Sequence, residues 1–183
     1  MERKVIDNFL SEEDFDWISS IATGQSPKLP QFRGREGSLP YYPQPIVSHD
    51  DDQEVNGPWN WMATSMLYWK NRPRHGFYDD IADTLLKKIH EDVQRIRAVI
   101  RVKANFYGHT EEVRAHRYHI DLDYDNYGAI FSLNTCNGYT EFEDGQKVDS
   151  VENRLLIFNA HDYHRSTTTS SAFGRYNINI NFL

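Results

Sequence analysis

Apolar residues recur at helical spacing in two stretches of the N-terminal half of the chain. Over 77–92 they lie three or four positions apart with Asp and Lys between them, which predicts an amphipathic helix. These apolar positions are Tyr78, Ile81, Leu85 and Ile89. A second helix is predicted to begin at Ser11, with Asp14 three residues on as an acidic capping partner. The residues Phe15, Ile18 and Ala22 would share one face of that helix.

Strict alternation of apolar and polar residues follows over 95–106 and predicts a strand with one buried face. The apolar side carries Ile96, Ala98, Ile100, Val102, Ala104 and Phe106, and the polar side carries Arg95, Arg97, Arg101, Lys103 and Asn105. The basic residues form either a basic patch or partly exposed charges beside neighbouring acids. Shorter strand-like runs occupy 4–9, 127–134, 139–143, 154–159 and 174–182. Helices followed by closely spaced strands indicate an α+β fold class whose β part is a sandwich or barrel.

One stretch of the chain has no periodicity at all. Residues 23–57 are rich in Gly, Pro, Ser and Asp, and a segment of this kind is often a functional lid. We therefore interpret 23–75 as a possible lid or substrate-side insertion within a single domain over 1–183. Its aromatic residues either face a ligand or, as we favour, pack outside the β core. They are Tyr41, Tyr42, Trp59, Trp61, Tyr68 and Trp69.

Composition narrows the class of protein. A chain of 183 residues that is 39% hydrophobic can bury a core as one domain. A net charge of −7 makes it a poor general binder of nucleic acid or of an anionic membrane. No apolar run approaches the roughly 18 residues that span a bilayer, and no signal peptide is visible. Cys136 is the single cysteine, which excludes an intrachain disulfide and favours a cytoplasmic location.

The candidate chemistry lies in His119-Ile120-Asp121, followed by His164 and Arg175. Two histidines and one carboxylate can occupy one face of an octahedral Fe(II) and leave the opposite positions open. Residues i and i+2 of a strand share a face, so His119 and Asp121 would reach one metal while Ile120 turns into the core. The H-x-D triplet alone is weak evidence. Its weight increases because His164 follows an apolar strand and Arg175 opens another alternating strand.

These residues give the chain a resemblance to the Fe(II)/2-oxoglutarate-dependent dioxygenases, in particular to the prolyl 4-hydroxylase-like branch. The matching segments are Val5–Ser11, His119–Asp121, Gly138–Phe142, His164 and Arg175. The resemblance is strongest over 100–182. It implies a double-stranded β-helix, or jelly roll, with flanking N-terminal helices. One departure is that the usual double glycine of the family turn is Gly138-Tyr139 here.

The resemblance also implies roles for individual residues. His119, Asp121 and His164 would be the iron ligands, and Arg175 would bind the distal carboxylate of 2-oxoglutarate, a contact that suits a planar guanidinium. Four polar residues are expected near the cosubstrate, namely Asn105, Tyr107, Asn177 and Asn179. Alternatively, Asn177 and Asn179 lie on the solvent face of an edge strand, and Tyr107 is a core residue with a satisfied hydroxyl. The implied reaction uses Fe(II), 2-oxoglutarate and dioxygen. It hydroxylates a C–H bond of a protein residue, with prolyl the most specific expectation, or of a small molecule, and it releases succinate and carbon dioxide.

Several alternatives stay open from sequence. His161 competes with His164 as the second histidine ligand, and we favour His164 because of its spacing to Arg175. His116 and Asp123 are expected to be solvent-facing neighbours of the H-x-D motif. For the whole chain, the rival hypotheses are a non-catalytic jelly-roll binding module and a cupin-like metalloenzyme that does not use 2-oxoglutarate.

Overall fold

Two antiparallel sheets and three helices make up the described part of the chain, which comprises residues 2–24, 38–47 and 57–183 of the computed structural model. Along the chain the elements are β1 (Lys4–Ile6), α1 (Glu12–Thr23), β2 (Tyr42–Gln44), β3 (Met62–Trp69), α2 (Phe77–Ile81), a π-helical turn (Ala82–Leu86), α3 (Lys87–Asp92), β4 (Val99–Gly108), β5 (Tyr127–Ser132), β6 (Tyr139–Phe142), β7 (Lys147–Asp149), β8 (Arg154–Asn159), β9 (His164–Ser166) and β10 (Gly174–Phe182).

The larger sheet has seven strands in the order β1-β8-β5-β10-β4-β3-β2, and the smaller sheet has the order β7-β6-β9. Isolated bridges add the segment 109–119 to the free edge of β9, and the last of them joins His119 to His164. Two facing sheets joined in this way form a double-stranded β-helix. The predicted α+β fold class, with a jelly-roll core and flanking helices, is therefore confirmed.

The main core lies between the helices and the outer face of the larger sheet. Ile18 of α1 and Ile81, Leu85 and Ile89 of the second helical segment are fully buried there, as their helical spacing predicts. The predicted cap of α1 is also present, because the Ser11 hydroxyl accepts a hydrogen bond from the Asp14 amide at 3.2 Å. From β10, the core takes Tyr176, Ile178, Ile180 and Phe182.

Strand β4 differs from its prediction in two ways. It begins at Val99, so the predicted start at 95 is wrong. Val102 and Ala104 face the main core as expected, but the polar side of the strand faces the interior of the jelly roll instead of solvent, and Asn105 is only 2% exposed. Alternation shows which residues share a face, but a polar face can line an internal site as well as meet water.

The described residues within 23–75 form an edge of the larger sheet. β2 pairs with β3, and β3 pairs with β4, although the sequence pattern gave no sign of either strand. The short strands β7 and β9 were not predicted either. The lid expectation falls largely on 25–37 and 48–56, which lie outside the described residues. No helix in the described ranges has the length and hydropathy needed to cross a lipid bilayer.

Candidate metal centre and active-site cavity

Three side chains with metal-binding atoms converge where the segment 109–121 meets β9. The nitrogen and oxygen ligand atoms of His119, Asp121 and His164 all lie within 4.8 Å of one another. Backbone hydrogen bonds fix this arrangement. His119 and His164 exchange a reciprocal pair at 2.9 and 3.0 Å, and the amide of Asp121 donates to the carbonyl of Ala160 at 3.0 Å.

The two imidazoles are oriented to offer Nε2 to a metal. His164 Nδ1 lies 2.8 Å from the carbonyl oxygen of Asp162, and His119 Nδ1 lies 3.3 Å from that of Arg117. A carbonyl accepts a hydrogen bond and cannot donate one, so each Nδ1 carries a hydrogen, which leaves Nε2 as the ring atom that can bind a metal. Burial, assisted by the nearby His164, lowers the pKa of His119 to about 4, so its ring is neutral at pH 7.

Asp121 is held as a carboxylate by three donors. Arg101 Nη2 donates to Oδ1 at 2.8 Å, while the side-chain amides of Asn179 and Asn181 donate to Oδ2 at 3.3 and 3.0 Å. Burial by itself would raise the pKa of Asp121. The charge of Arg101, with smaller contributions from His164 and Lys103, outweighs burial and holds that pKa well below its usual range.

The residues present fit a divalent metal. Ligands on one face of an octahedral ion, each about 2.1 Å from it, lie about 3 Å apart. His119 Nε2 is 4.0 Å from Asp121 Oδ1 and the whole group lies within 4.8 Å, so the three side chains have to draw closer together to hold one ion. Two imidazoles and one carboxylate form the donor set typical of non-haem Fe(II).

Arg175 lies on the same inner face of β10 as Asn179 and Asn181. Its Nη1 donates to the carbonyl of Tyr139 at 2.9 Å, and its Nη2 donates to the hydroxyl of Thr140 at 2.8 Å. The side chain is fully buried, yet its Nε has no partner among the described residues. Nε shares a guanidinium edge with Nη2, and this is an edge that can bind a carboxylate side-on.

Two further buried polar atoms beside Arg175 have no hydrogen-bond partner in the described ranges of the chain. They are Nε2 of His116 and Oδ1 of Asn105. The ring of Tyr107 lies between the two basic groups, 5.6 Å from the Arg175 guanidinium carbon and 5.4 Å from the His116 ring centre. Buried polar groups are almost always hydrogen-bonded, so this cluster is suited to receive a polar ligand. We call these four residues, together with Asn177, the polar cradle.

The strand register assembles this cluster. Arg175 pairs with Tyr107 and Asn177 pairs with Asn105, so side chains from β10 and β4 meet on the inner face. Asn105 also donates to the Asn177 side-chain oxygen at 3.0 Å. Burial and the charge of Arg175 lower the pKa of His116 to about 3, which keeps its ring neutral.

Gly138 lets the Arg175 side chain reach its position. A β-carbon on Gly138 would lie 2.7 Å from the Thr168 carbonyl oxygen and 2.9 Å from Cδ of Arg175. Real β-carbons do not approach other atoms this closely. The glycine of the Gly138-Tyr139 turn is therefore required here for close packing, and Tyr139 provides a backbone carbonyl to Arg175.

The structure corrects two expectations about the neighbours of the H-x-D motif. His116, expected in solvent, is 1% exposed, because its Nδ1 packs against the Ser166 hydroxyl at 2.9 Å. Ile120, expected in the core, lines a cavity instead, since residues 120–123 do not continue a strand. Asp123 is exposed as expected, and His161 is exposed and outside the metal-ligand group.

Sequence reasoning missed Arg101, Lys103 and Asn181 as site residues. A signal for them was present, because Arg101 and Lys103 alternate in phase with Asn105, and Asn181 alternates in phase with Asn179. Assigning Asn105 and Asn179 to the interior of the jelly roll therefore places all three missed residues there as well.

A cavity of about 520 Å³ adjoins the metal-ligand group on the side of β2 and β3. We call it the β3-side cavity. Its described lining residues are Gln44, Ile46, Val47, Met62, Thr64, Met66, Arg101, Lys103, His119, Ile120 and Asp121. Arg175 and the rest of the polar cradle are not among them. His119 and Asp121 therefore lie between a polar cradle and a separate open cavity.

Solved structures with the same fold are oxygenases. The chain is similar to a prolyl hydroxylase from Trichoplax adhaerens in complex with a hypoxia inducible factor oxygen degradation domain peptide fragment, at 15% identity and a TM-score of 0.58, covering 99% of this chain and 83% of that one. It is similar to a Pseudomonas putida prolyl-4-hydroxylase at 14% identity and a TM-score of 0.55, covering 98% and 91%. A 2OG-Fe(II) oxygenase family oxidoreductase from Burkholderia pseudomallei matches at 9% identity and a TM-score of 0.59, covering 98% and 84%.

These likenesses confirm the resemblance at the level of fold. The chain has the double-stranded β-helix fold of prolyl hydroxylases and other 2OG-Fe(II) oxygenases, and it carries a His-Asp-His group that can hold a metal. No family model matches the sequence, and no curated protein matches it.

Proposed function

We propose that this protein is an Fe(II)- and 2-oxoglutarate-dependent dioxygenase that hydroxylates a C–H bond. The observation that carries the proposal is the convergence of His119, Asp121 and His164, combined with a buried Arg175 whose Nε is unpartnered among the described residues and which shares the inner face of β10 with the asparagines that hold Asp121. A binding module would not need a carbonyl-oriented pair of histidines next to a carboxylate kept ionised. A cupin-like enzyme without 2-oxoglutarate would not need the buried arginine.

Each residue then has a definite task. His119, Asp121 and His164 hold Fe(II), which, when bound with 2-oxoglutarate and dioxygen, supplies the oxidising chemistry. Arg175 binds the distal carboxylate of 2-oxoglutarate through its free guanidinium edge. The neighbouring Tyr107 hydroxyl stays protonated and able to donate, because burial raises its pKa.

The rest of the polar cradle orients the cosubstrate. The unpartnered His116 Nε2 and Asn105 Oδ1 gain partners when a polar ligand enters, which removes the cost of burying them unpaired. Asn177 holds the Asn105 amide, and Asn179 acts on the metal side by holding Asp121. Asn179 is thus proposed as a positioning residue for a ligand and not as a direct contact of 2-oxoglutarate.

The oxidised substrate is proposed to be a protein residue, with proline the specific candidate, and a small molecule is the alternative. The structural likeness to prolyl hydroxylases supports proline, and one of those relatives holds a peptide. The cytoplasmic location stays a prediction.

The first test is an anaerobic titration of metal-free protein with Fe(II) and then with 2-oxoglutarate, followed by visible absorption. A weak charge-transfer band that needs both components supports the proposal. Iron binding without the band favours a cupin-like metalloenzyme, and absence of iron binding favours the binding module. His164→Ala should abolish Fe(II) binding, whereas His161→Ala should retain it, and the reverse result contradicts the assignment.

A second arm tests the arginine. Arg175→Met should weaken 2-oxoglutarate binding by roughly 10- to 100-fold, the loss expected for a charge-assisted hydrogen bond worth about 1.5 to 3 kcal/mol. Fe(II) binding should survive. Arg114→Met is a matched control, because Arg114 is 53% exposed and pairs with Glu112 at the surface.

A further inference from the structure

The β3-side cavity contains a cation that the proposed iron and 2-oxoglutarate chemistry does not use. Lys103 lines the cavity beside Arg101, and the two residues share the inner face of β4. Arg101 is already paired with a carboxylate, since its Nη2 and Nε contact Asp121 and Asn181 at 2.8 and 2.9 Å. Lys103 has no hydrogen bond or ion pair to any described residue.

This lack of a partner is unusual for a residue in that position. Lys103 is half-buried, and charged groups withdrawn from water are normally paired. Burial and the charge of Arg101 lower the pKa of Lys103 to about 8, so most of its population is still an ammonium ion at pH 7. The only acidic residue on the described cavity wall is Asp121, whose two oxygens already accept hydrogen bonds from Arg101, Asn179 and Asn181.

The cavity also has an apolar side and the right size. Ile46, Val47, Met62 and Met66 line it together with the two cations, and Met66 is the cross-strand neighbour of Lys103. A volume of about 520 Å³ falls within the range of roughly 300 to 1,000 Å³ typical of small-ligand sites. A ligand that fits has an aliphatic part against the methionines and a negative group at Lys103. His119 and Asp121, the proposed metal ligands, line the same cavity.

We propose that the β3-side cavity is the substrate site and that it selects a substrate carrying a carboxylate, which pairs with Lys103 while the adjacent C–H bond faces the metal. This inference rests on the proposed function for the identity of the reaction, but the anion site itself does not. The carboxylate belongs either to an acidic side chain within a peptide or to a free amino-acid-sized molecule. Lys103 thereby determines specificity through charge.

The test compares probes that differ only in charge. The peptides acetyl-Glu-Pro-amide and acetyl-Gln-Pro-amide, and the free compounds N-acetylproline and N-acetylprolinamide, are titrated by calorimetry into Zn(II)-loaded protein. We expect the acidic member of at least one pair to bind at least tenfold more tightly than its amide, equivalent to about 1.4 kcal/mol. Preference confined to the peptides identifies an acidic protein segment, and preference among the free compounds identifies a small acid.

Variants of Lys103 assign the effect to this side chain. Lys103→Met, which keeps the length of the side chain, should abolish the preference, and Lys103→Arg should retain it. Lys147→Met is the matched control, because Lys147 is a half-exposed surface lysine that contacts Glu141 and should leave the preference intact. Thermal melting of each variant verifies that it is folded.

Three results overturn the proposal. They are failure of every acidic probe to bind, equal binding of acid and amide, and a preference that survives Lys103→Met. Loss of 2-oxoglutarate affinity in Lys103→Met with the probe preference intact would make Lys103 a cosubstrate residue instead. Because Zn(II)-loaded protein does not turn over, acid selectivity without the iron and 2-oxoglutarate band would refute only the proposed function. The band without selectivity would refute only the anion site.

Discussion

The ion pair between Arg101 and Asp121 makes a quantitative prediction about metal dependence. Both side chains are withdrawn from water, at 14% and 4% exposure, and their charged atoms are 2.8 Å apart. Removing one partner of a buried pair costs about 3 to 5 kcal/mol, because the other charge is left uncompensated. Asn179 and Asn181 still donate to Asp121, so we take the lower end, about 3 kcal/mol, for Arg101→Met.

A bound divalent cation changes this cost. A metal held by Asp121 would supply the positive charge that Arg101→Met removes. The variant should therefore be destabilised mainly when it is metal-free. For a chain of this length, about 3 kcal/mol corresponds to a fall in Tm of about 6 to 12 °C. Addition of Mn(II) should raise the Tm of Arg101→Met more than it raises that of the wild type.

Urea unfolding and thermal melting of chelator-treated and Mn(II)-loaded protein measure both effects. Arg95→Met is the control, since Arg95 is exposed and should cost less than about 0.5 kcal/mol. In an Asp121→Asn background the cost of Arg101→Met should fall below about 1 kcal/mol, because no buried charge remains to be paired. A loss below about 1 kcal/mol in the wild-type background, or equal stabilisation of both proteins by Mn(II), would refute the reasoning.

Three further predictions concern the site and the core. His116 and His119 have pKa values of about 3 and about 4 when folded, against 6.5 for an ordinary histidine, so the unfolded chain binds protons first on acidification. The metal-free protein should therefore have its full stability from these groups above pH 6.5 and lose up to about 1.4 kcal/mol per pH unit for each histidine towards pH 4. Urea unfolding against pH should show a shallower slope for His116→Gln, and an identical slope would contradict the burial argument. Gly138→Ala should displace Arg175 and weaken 2-oxoglutarate binding at least tenfold in the iron titration, with Fe(II) affinity retained, whereas unchanged binding would show that the turn can relax. Ile180→Ala should lower the free energy of unfolding by about 2 to 5 kcal/mol, because Ile180 is fully buried, and a smaller loss in urea unfolding would mean that the core collapses around the gap.

Local patterns predicted a large part of this molecule. The spacing of Ile81, Leu85 and Ile89 predicted a helix, and these residues are buried in the core beside the larger sheet. The alternation through 174–182 predicted a strand with the same bounds as β10. The site was indicated by the His119-Ile120-Asp121 triplet with His164 and Arg175. The triplet predicts two ligands on one strand face, and the family resemblance predicts that the distant His164 and Arg175 belong to the same site. The convergence of His119, Asp121 and His164 is the long-range part that only the structure shows.

The features that the sequence did not predict share a physical cause. β3 pairs with β4, which lies more than 30 residues further along the chain. Whether such a segment forms a strand depends more on the neighbouring strand than on the segment's own sequence. His116 was expected in solvent as a residue that flanks the H-x-D motif. Its burial depends on Ser166 and on the ring of Trp59, 5.7 Å away, and neither contact is local.

β10 separates the main core from the interior of the jelly roll, and this offers a way to observe the site without altering it. Ile178 and Ile180 point into the core while the intervening Asn179 holds Asp121 on the other side. Any ligand that shifts the backbone at Asn179 also shifts the two isoleucines beside it. Their methyl groups, labelled with ¹³C in an otherwise deuterated chain, are natural NMR reporters that would register metal, cosubstrate and substrate as successive chemical-shift changes.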